Sequence, residues 1–232
     1  REAVLALSRP LACESAPIFD ALGRCLAAPV VSSRRLPPRD ASAMDGYAVR
    51  VEDCLAGASG APAALPVAFE VAAGDVSGPE LKPGEAARIF TGAPVPRGAD
   101  AVVRQEDTAR EGDCVRIHVC PGPREHIRDA GEDVETGDRV LETGARIGPS
   151  EIGVLASLGR SLVQVYRRPR VAILSGGDEL VEIDGDVSGG RIVASNAYML
   201  SAACRTLGAE PISLGIAEDR PESVEQQFRA AL

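Results

Sequence analysis

The sequence predicts a multi-domain α/β protein in which a β-rich domain precedes a truncated parallel α/β domain. Three observations predict it. The chain has 232 residues, 45% of them hydrophobic, enough to bury more than one core. From Val30 to about Val165, short β-branched runs are punctuated by Gly, Pro and Asp, the spacing of a β-rich unit. After Arg167-Arg168-Pro169-Arg170 come an apolar run, a helical period, a second apolar run and a second helical period. That alternation implies a parallel sheet with crossover helices.

In chain order, residues 1–28 read as helical: Ala3–Leu7, a break near Pro10, then Ile18–Leu22 stopped by Gly23. Strands are expected at Val67–Ala72, Ala86–Phe90, Ala101–Arg104, Val115–Val119 and Arg139–Leu141, with Ala56–Pro66 a small-residue loop. Pro149-Ser150 starts a helix through Leu158 that Gly159 stops. Val171–Leu174 reads as a strand covered on both faces. Met199, Leu200, Ala203, Cys204 and Leu207 follow helical spacing up to Gly208, and Ile212–Ile216 is a second buried-type strand. Asp219 and Pro221 open a helix whose apolar stripe is Val224, Phe228 and Ala231. Two strands do not complete a doubly wound sheet, so the stretch is expected to stop in the middle of a domain.

Twenty-five basic against thirty-four acidic residues give a net charge of −9. With no basic block beyond Arg167–Arg170, nucleic acid is not an expected partner. An anionic ligand would then need local positive groups or a divalent cation. No apolar run reaches the roughly 20 residues of a membrane span and no signal peptide opens the chain, so a cytoplasmic protein without membrane contact is expected. The six cysteines lack framework spacing and are expected as reduced thiols. Cys114, His118 and Cys120 share one face of a strand-like segment. At roughly 3.3 Å per residue the outer two stand about 20 Å apart, too far for one zinc, so they are expected as half-buried strand residues.

Four segments carry chemistry. The first is Ser42-Ala43-Met44-Asp45-Gly46-Tyr47-Ala48-Val49, where Asp45-Gly46 reads as a tight turn because Gly accepts φ > 0, presenting a carboxylate at a loop tip. The second is Ile89-Phe90-Thr91-Gly92-Ala93-Pro94-Val95-Pro96-Arg97-Gly98-Ala99-Asp100-Ala101-Val102, with Gln105-Glu106 after it. The third is Ile127–Val134, containing Gly131-Glu132-Asp133. The fourth is Ile173–Leu180, containing Ser175-Gly176-Gly177-Asp178-Glu179, with Asn196 and Asp219 behind it. Singly, Thr91-Gly92 also reads as a strand-ending turn, Gly131–Asp133 as a bulge or hairpin turn, and Asp219 as a helix cap.

Together these segments resemble the molybdopterin molybdenumtransferase family, bacterial MoeA and its eukaryotic relatives including the E domain of gephyrin, along essentially the whole chain. The resemblance implies an α/β multi-domain fold: a β-rich domain at 43–137, an elongated arm from 24–42 and 138–168, and a truncated molybdopterin-binding-like α/β domain from 1–23 and 169–232. It implies a transferase of molybdenum cofactor biosynthesis that inserts molybdate into adenylated molybdopterin and releases AMP with Mg²⁺. It also implies a homodimer, with contact to the molybdopterin adenylyltransferase. By match to the family motifs, Asp45, Thr91, Asp133 and Glu179 are expected as catalytic residues. Ser175, Gly177, Asp178 and Asn196 are expected to bind the pterin substrate, and Glu179 and Asp219 to hold the metal. The residue types suit this: Mg²⁺ prefers oxygen ligands, ligands collect at the carboxyl ends of parallel strands, and a threonine hydroxyl can donate to an oxyanion or position water. In the family the site lies between subunits, so Glu179 and Asp219 are expected from the chain opposite Asp45 and Thr91.

The chain departs from the family pattern at Gly176, where a threonine is usual, and at Ala194, where an aspartate precedes the asparagine by two. The family's Gly-Gly-x-Ser-x-Gly loop, whose amides suit phosphate, and its C-terminal β-domain are not in this stretch, which is therefore expected to be inactive alone. A non-catalytic scaffold of the same family is the alternative. Adenylyl transfer to molybdopterin is disfavoured by the long β-rich insertion and the Ser42–Gly46 run.

Overall fold

The computed structural model describes residues 6, 8–55, 62–76 and 78–231. Its strands and helices divide between two compact units, Val31–Val140 and the combination of Arg1–Val30 with Leu141–Leu232. Of the expected helix at Ala3–Leu7 only Ala6 is among the described residues, where it is helical, and most of the loop expected from Ala56 lies outside them.

The unit Val31–Val140 is built on a six-stranded sheet. Its order is Ala101–Arg104, Gly46–Val49, Ala86–Ile89, Ala63–Val71, Cys114–Ile117, Thr108–Glu111. Gly46–Val49 runs antiparallel to both neighbours, whereas Ala63–Val71 runs parallel to Ala86–Ile89. The period of two sorts the side chains into two apolar clusters. Tyr47, Val49, Leu65, Val103, Val115 and Ile117 fill one, and Ala48, Val71, Leu81, Ala87, Ile89 and Val102 fill the other. Ala63 and Leu65 are buried and pair with Ile117 and Val115, so the strand begins inside the segment expected to be loop. Beside the sheet, Ala41–Ser42 pairs antiparallel with Ile127–Arg128.

In the other unit the helical expectation fails over Cys13–Pro17. This segment is a strand, antiparallel to Leu162–Tyr166, and the expected helix Ile18–Leu22 is a single 3₁₀ turn at Ile18–Ala21. Pro17 disfavours helix for the residue before it, and the ladder to Leu162–Tyr166 supplies hydrogen bonds that a helix would otherwise have provided. The helix Pro149–Ser157 forms as expected, with Glu151 accepting from the Gly148 N–H at 2.8 Å. It buries Leu155, and Leu26, Ile147 and Val165 of the same unit are also fully buried.

The strands Arg170–Gly176 and Glu210–Ala217 are parallel, with the helix Ser195–Thr206 between them in sequence and Pro221–Ala231 after them. The β-α-β-α reading therefore holds. Coverage on both faces does not: of Arg170–Gly176 only Ile173 is buried, and Met199, Leu200 and Phe228 are exposed on the two helices. Among the described residues no helix is long and apolar enough to cross a membrane.

Candidate active site

Asp45 stands at the head of the strand Gly46–Val49, after a bend that the Ser42 hydroxyl closes by donating to the Met44 carbonyl at 2.6 Å. Asp45-Gly46 is not the φ > 0 turn the dipeptide suggests. Gly46 is already strand, and glycine is needed because a Cβ there would lie 1.9 Å from the Val103 carbonyl oxygen. Thr91 follows the adjacent strand Ala86–Ile89. Its main-chain N–H and its hydroxyl both donate to Asp45 Oδ1, at 2.7 and 2.8 Å. These two bonds, and after them the nearby Arg88 guanidinium, hold the Asp45 carboxyl below its ordinary range. Gln105 donates its main-chain N–H to the Asp45 carbonyl at 3.0 Å.

Arg88 is the member that sequence reasoning missed. Its guanidinium stacks over the rings of Phe90 and Tyr47, 4.9 and 5.1 Å from their centroids. It also donates to the Gly46 carbonyl at 3.1 Å and to Gln105 Oε1 at 2.8 Å. The one available signal was a cation inside the buried strand sequence Ala86-Ala87-Arg88-Ile89. Asp133 does not join this group: its carboxylate pairs with Arg128 and its N–H donates to the Leu36 carbonyl.

The second group of expected residues lies where the parallel strands end. Register pairs Ser175 with Ile216 and Gly176 with Ala217, so the loops that follow begin side by side. Gly177 adopts φ +146°, a conformation for which glycine is suited, and donates its N–H to the Ala217 carbonyl at 3.2 Å. Asp178 Oδ1 accepts the Asp219 N–H at 3.1 Å, tying the two loops together. Asp178, Glu179 and Asp219 are all exposed. Ser175 lines a cavity of about 300 Å³ with Ala194, Tyr198, Ser201 and Ser213. Asn196 sits exposed in the first turn of the helix Ser195–Thr206, with no hydrogen bond to the strand-end loops among the described residues.

Mg²⁺ takes one or two carboxylates and completes its octahedron with waters and phosphate oxygens. Glu179 and Asp219, exposed carboxylates in the loops after adjacent strands, are of the donor type that mode uses. A cage supplied by protein alone does not fit: among the described residues no three His, Cys, Asp or Glu converge as one would require. Cys114 is half-buried in its strand, Cys120 packs against the first apolar cluster and His118 is exposed past the strand end.

The family model for the MoeA N-terminal region (domain I and II) matches residues 1–159, and that for a probable molybdopterin binding domain matches residues 172–232. The chain belongs to the MoeA family. It is 43% identical over 219 residues to a molybdopterin molybdenumtransferase of a Nostoc species, covering 94% of this chain and 50% of that protein. To the molybdopterin molybdenumtransferase of Haemophilus influenzae it is 38% identical over 223 residues, covering 96% of this chain and 54% of the relative. The crystal structure of a MoeA protein from Pyrococcus horikoshii superposes with a TM-score of 0.86 at 35% identity, over 99% of this chain and 59% of that one. The chain thus spans about half the length of the curated relatives it matches.

Proposed function

We propose that the protein inserts molybdate into adenylated molybdopterin with release of AMP. The observation that carries this reading is the 43% identity to a molybdopterin molybdenumtransferase across 94% of the chain. The paired Asp45 and Thr91 support it at the level of chemistry. Breaking a phosphoanhydride asks mainly for positioned charge and needs no covalent nucleophile. Thr91 spends its hydroxyl proton on Asp45, so it acts as a positioning residue for that carboxylate. Asp45 keeps Oδ2 for a water or a substrate hydrogen-bond donor. Arg88, next to it, supplies positive charge in a chain of net charge −9. At the strand ends Glu179 and Asp219 would hold Mg²⁺, whose charge would offset that developing on the phosphate oxygens. Ser175, Gly177, Asp178 and Asn196 contact the pterin substrate, and Asp133 contributes through the same reaction. The protein works as a cytoplasmic homodimer that receives its substrate from the adenylyltransferase.

The test is AMP formation from adenylated molybdopterin, molybdate and Mg²⁺ by the full-length protein, since this stretch is expected to be inactive alone. Release that requires both molybdate and Mg²⁺, and stops with chelator, is the expected result. A folded dimer that releases no AMP overturns the enzyme reading in favour of a scaffold.

A further inference from the structure

The chain is acidic overall, yet five of its 25 basic residues line one cavity of about 320 Å³. They are Arg24, Arg146, Arg167, Arg168 and Arg205, and among the described residues no carboxylate lines the cavity with them. Arg24 is the innermost, its side chain 9% exposed, and bonds Glu14 and, at 2.7 Å, the Tyr166 carbonyl. Glu14 is shared with Arg167 at 3.4 Å, so one carboxylate serves two guanidinium groups. Among the described residues Arg146, Arg168 and Arg205 have no ion-pair partner and are exposed. Arg24 Nε is moreover a buried donor without an acceptor, the state a folded protein avoids unless something else supplies one.

Like charges gathered this closely repel unless an anion joins them, and the guanidinium fork matches the edges of a tetrahedral oxyanion. The cavity lies within the small-ligand range of roughly 300–1,000 Å³. We propose that this arginine pocket is a binding site for a tetrahedral dianion, of which phosphate groups and molybdate are the two sources with that chemistry. The proposal stands on the pocket's own residues and does not require the activity above.

Isothermal titration of the full chain with inorganic phosphate, and separately with molybdate, tests it. The expected result is saturable binding of at least one dianion that weakens as NaCl is raised. Arg168→Gln should weaken it by about tenfold, and adding Arg146→Gln should weaken it further, since each removes charge-assisted bonds. Arg116→Gln, which removes an exposed arginine in the other unit, should leave it unchanged. Preference for phosphate assigns the pocket to a phosphorylated ligand and preference for molybdate to the free metal oxyanion. Absence of saturable binding, or binding indifferent to both arginine substitutions in proteins with unaltered circular dichroism, overturns the proposal.

Discussion

Thr91 donates twice to the same oxygen of Asp45, through its N–H and its hydroxyl, across 46 residues of sequence. The two bonds fix the carboxylate's orientation and leave Oδ2 with no hydrogen-bond partner among the described residues. Thr91→Val keeps the N–H bond and the side-chain volume while deleting the hydroxyl. Under the proposed reaction, AMP release by the full-length protein is expected to fall by about 10²-fold, because the Asp45 carboxylate loses its alignment. Asp45→Ala should fall at least as far. Both variants should melt close to wild type, since Asp45 is exposed; full activity in either would remove the pair from the reaction.

The same pair predicts a titration. The ordinary carboxyl value for Asp45 is 3.8, and the Thr91 donors, with Arg88 adding to them, hold it lower. Arg24, with Arg167 adding to it, likewise lowers Glu14 from 4.5. An acid depressed on folding contributes stability above its unfolded pKa and loses it as pH falls through the lower folded value. The contribution of these groups is therefore complete at neutral pH and disappears below about pH 4. A carbon-13 titration should place the Asp45 midpoint below 3.8 in the wild type and move it upward in Thr91→Val. Identical midpoints would show that the hydroxyl bond does not persist in solution.

Two glycines should respond in opposite directions. Gly46→Ala drives a methyl into the Val103 carbonyl of the neighbouring edge strand of the six-stranded sheet. The atoms it would meet are all backbone, which cannot swing aside, and a loss of about 3 kcal/mol in urea unfolding is expected. Gly153 lies in the helix Pro149–Ser157, and an added Cβ there would meet nothing within 4 Å. Gly153→Ala should stabilise by about 0.5–1 kcal/mol through helix propensity.

The cysteines should differ in reactivity. Burial in the first apolar cluster, with Cys120, Asp53 and Asp100 adding to it, pushes the Cys54 thiol up to about 12. Cys13 and Cys25 are exposed. Brief alkylation of the native protein at about pH 8, read by peptide mass spectrometry, should label Cys13 and Cys25 and spare Cys54 until the protein is unfolded.

Much of the secondary structure was legible because local signals decide it. Pro149-Ser150 announced a helix start, Gly208 a helix end, and the apolar runs after Arg170 a parallel β-α-β-α unit. The motif strings around Asp45 and Thr91 carried the family. By contrast, Cys13–Pro17 looked helical because its extended conformation depends on Leu162–Tyr166, far away in the chain.

The sequence by itself thus determined the strand and helix texture and the family. Only the tertiary structure decided that Gly46 serves close packing rather than a turn, that Thr91 spends its proton on Asp45, and that five arginines share one cavity. The physical reason is common to all three. Spacing encodes backbone preference and the period of burial, whereas a hydrogen-bond acceptor or a like-charge neighbour is supplied by whichever distant segment the folded chain brings alongside.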